Sequence, residues 1–131
     1  MKTGNKRDVV TAAGVSSIPV ATTDVVYTQS VKIENAESFG LWVLASSAAG
    51  TPALKIEIQQ SALPPTTEGS ADTNYVVPDG VADVVSALND ELAHEYAIFL
   101  VPLPYLRFKI TGLSSPVNPS DSLVQMKLFV Q

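Results

Sequence analysis

Several stretches of this 131-residue chain alternate apolar and polar residues with a period of two, the pattern that most constrains its fold. Leu54, Ile56 and Ile58 interleave with Lys55, Glu57 and Gln59. Leu106, Phe108 and Ile110 interleave with Tyr105, Arg107 and Lys109, and Val124, Met126, Leu128 and Val130 with Gln125, Lys127 and Phe129. Within Tyr27 to Glu34, Val31 and Ile33 alternate with Lys32 and Glu34. Successive strand side chains point to opposite faces, so each stretch turns one face to a core and the other to solvent or a partner. Phe39 to Ala45 and Ala97 to Val101 are apolar on both faces and read as central strands covered by other layers. Shorter strands are expected at Asp24 to Tyr27 and Asn74 to Val77.

Turn residues separate these runs. Ala49-Gly50-Thr51-Pro52 is consistent with a hairpin, and Pro102-Leu103-Pro104 forces an extended corner. Residues Gly112 to Ser120 read as a loop, and Ser61 to Thr73 as the longest polar excursion, a surface or contact loop. Val81, Val84, Val85, Leu88 and Leu92 recur at helical spacing after Asp79 and Asp83, which favours a short helix over 81–92 against an extended alternative. About eight strands with at most one short helix predict an all-β fold, an antiparallel β-sandwich of jelly-roll type. The domain is expected over 23–131, with 1–22 as an extended N-terminal arm.

Charged residues make up only 16% of the chain against 46% apolar residues, a sparse surface that fits either coverage by neighbours or a neutral, thermally robust monomer. The net charge is −5, but Lys2, Lys6 and Arg7 place three of the eight basic residues in the first seven positions, with no acid among them. Five basic residues then face 13 acidic ones, a balance that disfavours nucleic-acid binding. The basic arm either engages an acidic surface or is a solvated terminus. The segment after it is too polar for a signal peptide, and no run approaches a membrane span, so the expectation is a soluble, unexported product with no membrane partner.

Catalytic chemistry has little to stand on. The chain contains no cysteine, and its single histidine, His94, has neither a nucleophile elbow nor a metal-ligand partner near it in sequence. It reads as a structural or surface residue. Asn89-Asp90-Glu91 and Asp79-Gly80 read as solvated turns rather than a calcium site. Glycines are scattered singly, with no phosphate loop. No catalytic residue, cofactor or metal is assigned. The remaining signals are aromatic and basic. Trp42, amid apolar neighbours, reads as core. Tyr105, Arg107 and Lys109 share the outward face of one strand, where an interface and cross-strand pairing with Glu57 or Glu34 are equally expected.

The basic arm, the Ser/Thr/Ala-rich strands, the run Tyr105-Leu106-Arg107-Phe108-Lys109-Ile110-Thr111-Gly112 and the ending Leu128-Phe129-Val130-Gln131 give the chain a further character. As a whole it resembles small virion proteins of tailed bacteriophages, particularly head-decoration and other capsid-attached β-sandwich proteins. The resemblance implies a non-enzymatic protein that stabilises a capsid or tail, clusters with itself, often as trimers, and binds a major capsid or other virion protein. It implies a location in the virion. Lys2, Lys6, Arg7, Tyr105, Arg107 and Lys109 are the candidate partner-binding residues. The alternative is a carbohydrate-binding or receptor-binding module, which needs two or three exposed aromatic residues in a platform.

Overall fold

The computed structural model describes residues 5–33, 39–47, 52–77, 85–88, 91–98, 103–113 and 122–130. Every helix or strand among them is a strand: β1 (Asn5–Val9), β2 (Ile18–Val20), β3 (Val25–Tyr27), β4 (Val31–Lys32), β5 (Phe39–Ser47), β6 (Leu54–Ser61), β7 (Val85–Leu88), β8 (His94–Ile98), β9 (Tyr105–Gly112) and β10 (Ser122–Val130). The first sheet runs β1-β10-β5-β8, with β2 also on β10. The second runs β3-β9-β6-β7, with β4 also on β9. All pairings are antiparallel.

Strand β5 occupies one side of β10 along its whole length, from Ser122↔Ser47 to Val130↔Phe39. On the other side β1 pairs with Val130 to Met126 and β2 with Ser122 to Val124. They form one interrupted edge, as β3 and β4 do beside β9. Thr28 fills the break in the second edge: its backbone N–H donates to Phe108 O at 2.9 Å, and its Oγ1 accepts from Phe108 N–H at 2.9 Å. With each broken pair counted once, the described residues form an eight-stranded jelly roll that changes sheet at every connection except β6 to β7.

The alternation sets the core. Leu41, Val43 and Ala45 of β5, Val124, Met126 and Leu128 of β10, Leu54, Ile56 and Ile58 of β6, and Leu106, Phe108 and Ile110 of β9 are all buried in one cluster between the sheets. Each fully buried aliphatic or aromatic side chain contributes roughly 1.5–3 kcal/mol, so the two central strand pairs carry most of the stability.

Four expectations are corrected. Val85–Leu88, within the segment read as a helix, is a strand against β6, because cross-strand pairing overrides a periodicity that short apolar runs share with helices. Val81, Val84 and the turn at 89–90 lie outside the described residues. The N-terminal segment is not an arm standing off the sandwich: β1 and β2 are part of the first sheet, and Val9, Ile18 and Val20 are buried in its core. The strands that flank 49–52, β5 and β6, belong to different sheets and form no hairpin; residues 49–51 themselves lie outside the described residues. Ala97 and Ile98 lie on β8, an edge of the first sheet rather than its centre, with Ala97 exposed; Phe99 to Val101 lie outside the described residues.

Gly112 ends β9 where the chain before β3 crosses it. Its N–H donates to Asp24 O at 2.8 Å and its carbonyl accepts from Thr23 N–H at 3.1 Å. A Cβ there would stand 2.0 Å from Ala21 O, whereas one at Gly40 on β5 would meet nothing nearer than 3.9 Å. Gly112→Ala is therefore expected to lower stability by about 1–3 kcal/mol through forced backbone movement. Gly40→Ala should stay within about 0.5 kcal/mol of the wild type. Urea unfolding midpoints check both, and equal midpoints would contradict the close approach.

Candidate functional site

The outward face of the second sheet carries Tyr105, Arg107 and Lys109 on one strand, as the alternation requires, but their fates differ. They lie opposite Ser61, Gln59 and Glu57 of β6. Lys109 Nζ is 3.8 Å from Glu57 Oε2, and Lys55 Nζ is 3.7 Å from the other oxygen of the same carboxylate, so the cross-strand pairing is the one that forms. Glu34 lies outside the described residues. Tyr105 is half-buried.

Arg107 is only 1% exposed, and the cover is the chain's own loop. Its guanidinium lies between two rings, 4.4 Å from the centroid of Tyr27 and 4.3 Å from that of Tyr75. Nε donates to Gln59 Oε1 at 2.8 Å and Nη1 to Ser70 O at 2.7 Å, while Nη2 is buried without an acceptor. Residues 61–77 are thereby drawn over the sheet. Gly69 makes the approach possible: its φ is +79°, and a Cβ would come within 2.9 Å of Ala12 Cβ. The loop is tied down further by Ser30 N–H donating to Glu68 Oε2 at 2.9 Å, by a Ser30–Tyr75 hydroxyl contact, and by an antiparallel bridge of Val76 to Gln60. Burial pulls the Arg107 pKa down, opposed by the nearby Tyr75, Tyr27, Asp72 and Glu68; the guanidinium stays protonated at neutral pH. Burial also raises the Tyr75 phenol above its usual 10.0. The Arg107 cluster is thus an internal latch, and this stretch of the outward face has no room for a partner.

The outward face of the first sheet is different. Trp42, expected in the core, lies on it: Leu41 and Val43 point inward, so Trp42 and Leu44 point out. Trp42 stands opposite Lys127 and Glu95, with Lys127 Nζ 6.0 Å from its ring centroid. Lys127 reaches on to Asp8 at 3.6 Å. Leu123 and Phe129 of β10 remain 48% and 39% exposed, and Phe129 has only Gly40 opposite it on β5. Two aromatic and two leucine side chains therefore share one sheet face, interleaved with Gln125 and Lys127 and flanked by Lys6, Asp8 and Glu95. This face is the candidate binding surface. The alternation already placed Trp42 there; the apolar composition of 39–45 obscured it.

Lys6 and Arg7 are exposed on β1, in the other sheet from Tyr105, Arg107 and Lys109, so the two sets do not form one site. Lys2 lies outside the described residues. His94 is half-buried on β8, stacked on Tyr96 with ring centroids 6.2 Å apart. Among the described residues, no three His, Asp or Glu side chains gather as metal ligands.

No protein-family model matches the sequence, and no curated protein matches it. One similar solved structure is "Carbohydrate-Binding Module CBM36 in complex with calcium and xylotriose", at 16% identity over 98% of this chain and 92% of that chain, with a TM-score of 0.47. No residue role is transferred from it.

Two outcomes are expected for the latch. Arg107→Lys, which keeps the charge but loses the planar fork, should cost about 2 kcal/mol or more in denaturant unfolding and open 61–77 to limited proteolysis. A wild-type midpoint would show that the two rings do not depend on the guanidinium. Asp72 accepts from Asn74 N–H and Thr66 N–H at 2.9 and 3.1 Å, and these bonds hold its pKa below the usual 3.8. A depressed carboxylate stabilises the fold above its unfolded pKa and loses that contribution as pH falls through the folded value. The Thr66 and Asn74 amide resonances should titrate together with a midpoint below 3.8.

Proposed function

We propose that this chain is a non-catalytic structural β-sandwich that attaches to a larger protein assembly, in the manner of a capsid-decoration protein, through the outward face of its first sheet. The observation that carries this reading is the strip on the outward face of the first sheet in which half-buried Trp42 and Leu44 adjoin exposed Leu123 and Phe129. Aromatic anchors with a charged rim are the usual anatomy of a protein interface, and the exposed Leu123 on the same face favours a protein over a sugar. The low charge content and the resemblance of the sequence to tailed-phage virion proteins point the same way. Jelly rolls serve capsids and lectins alike, so the face and not the fold carries the argument.

Leu123→Asp combined with Phe129→Asp alters only outward positions, so the fold should persist. In purified particles from the source, the wild-type chain is expected to co-sediment and the double variant to remain in the free fraction. Recovery of the wild-type chain only as free protein would overturn the assignment.

Trp42 favours a second reading, a saccharide- or receptor-binding module, because its indole is outward and has Lys127, Glu95 and Gln125 around it for hydrogen bonding. Trp42 is the only tryptophan, so its emission reports on this face alone. Titrating dilute protein with soluble oligosaccharides should leave the emission unchanged if the first reading holds, whereas a saturable shift would select the second.

A further inference from the structure

The cations near the start of the chain have a place in the fold that the apolar strip does not use. Lys6 and Arg7 are exposed on β1, and among the described residues neither forms an ion pair. Asp8, beside them, is taken by Lys127. They lie on an open edge: β1 pairs with β10 on one side, and among the described residues no strand pairs with its other side. The backbone N–H and C=O groups that point away from β10 are a template for a further strand. The other edges are less suited. β2 is three residues long with Pro19, which has no N–H, at its centre. β3 and β4 span three and two residues, and β8 carries the acid Glu95.

Charge decides which strand fits. Two copies joined antiparallel at this edge about a two-fold axis set one residue opposite itself. In the three registers that overlap β1 best, that residue is Lys6, Arg7 or Asp8, so a like-charged pair sits at the centre.

We propose that the free edge of β1 takes an acidic extended segment of a partner protein as an added antiparallel strand. Occupancy of this edge goes beyond the assembly reading and does not depend on it. Register defines the segment. Lys6 stands opposite Phe129 and faces outward, whereas Arg7 stands opposite Leu128 on the other side of the sheet. Residues directly opposite in an antiparallel pair share a face about 5 Å apart, so an added strand meets both cations only with two consecutive acids. An uncharged residue fits opposite Asp8, and an apolar one opposite buried Val9. Main-chain hydrogen bonds then supply affinity, and the acid pair supplies selection. With a net charge of −5 on the chain, repulsion from the rest of the surface steers an acidic segment to this edge.

Amide spectra and hydrogen exchange of the full chain, titrated with the capped peptide Thr-Val-Thr-Glu-Glu-Thr-Val, test the edge. Saturable shifts and slowed exchange are expected on β1, at Lys6 to Asp8. The same peptide with proline as its second and sixth residues keeps the charge but cannot extend a ladder, and should bind about tenfold more weakly or worse. Lys6→Glu combined with Arg7→Glu should weaken the glutamate peptide by about tenfold or more. That chain should instead accept the lysine counterpart, Thr-Val-Thr-Lys-Lys-Thr-Val, which a merely structural effect of the two changes would not produce. No saturable binding up to millimolar peptide, equal binding of the proline peptide, or shifts centred on another element overturns the proposal. Dimerisation of the chain alone that protects the same amides also overturns it, since a second copy would then hold the edge.

Discussion

The last strand holds the first sheet together. Strand β10 pairs with β5 over nine registered positions and, on its other side, with β1 and β2 from the opposite end of the chain. Until Ser122–Val130 is in place, the N-terminal strands have nothing to pair with. Val9, Ile18 and Val20 then lose the layer that buries them. Pairing of segments more than a hundred residues apart incurs a large loop-closure entropy before any hydrogen bond forms. The return is a core in which both central strand pairs present an unbroken inward row. The β6–β9 pair, registered from Leu54↔Gly112 to Ser61↔Tyr105, is the counterpart in the second sheet.

A buried charge organises the second sheet's outward side. Leaving a guanidinium in an apolar layer costs several kcal/mol unless its donors are met, so Arg107 demands partners that β9 and β6 alone do not supply. Gln59 answers one donor from the neighbouring strand, but the others need the loop, which brings the Ser70 carbonyl and the Tyr75 ring. A long polar excursion thus has a fixed course over the sheet. The buried cation is chiefly a device of specificity, since an apolar residue of similar size would not select one placement of 61–77.

The strands and their inward rows were legible because period two is a local property. Leu54, Ile56, Ile58 and Leu106, Phe108, Ile110 needed nothing beyond their own neighbours. What was not legible depended on distant contacts. Val85 to Leu88 is too short for periodicity to separate helix from strand, and β6 decides it. The burial of Arg107 is invisible in a pattern that fits an interface and cross-strand pairing equally, because nothing near it in sequence announces Tyr27, Ser70 or Tyr75. The N-terminal segment looked like an arm because its buried residues, Val9, Ile18 and Val20, are spaced among glycine, serine and proline. Trp42 is a different case: Leu41, Val43 and Ala45 define the inward phase, and the apolar composition of 39–45 masks it.

The two outward faces of this sandwich are treated unequally, and that inequality is the strongest functional signal in the molecule. On the second sheet, Lys55 and Lys109 close on Glu57, and 61–77 covers what remains around Arg107. The first sheet has as many strands and similar length, yet its cross-strand ion pair of Asp8 with Lys127 lies within an apolar strip that has no loop drawn across it among the described residues. Exposing Leu123 and Phe129 confers no folding advantage, because polar residues at those positions would leave every inward contact intact. An apolar strip that folding does not require is most simply explained by contacts made after folding.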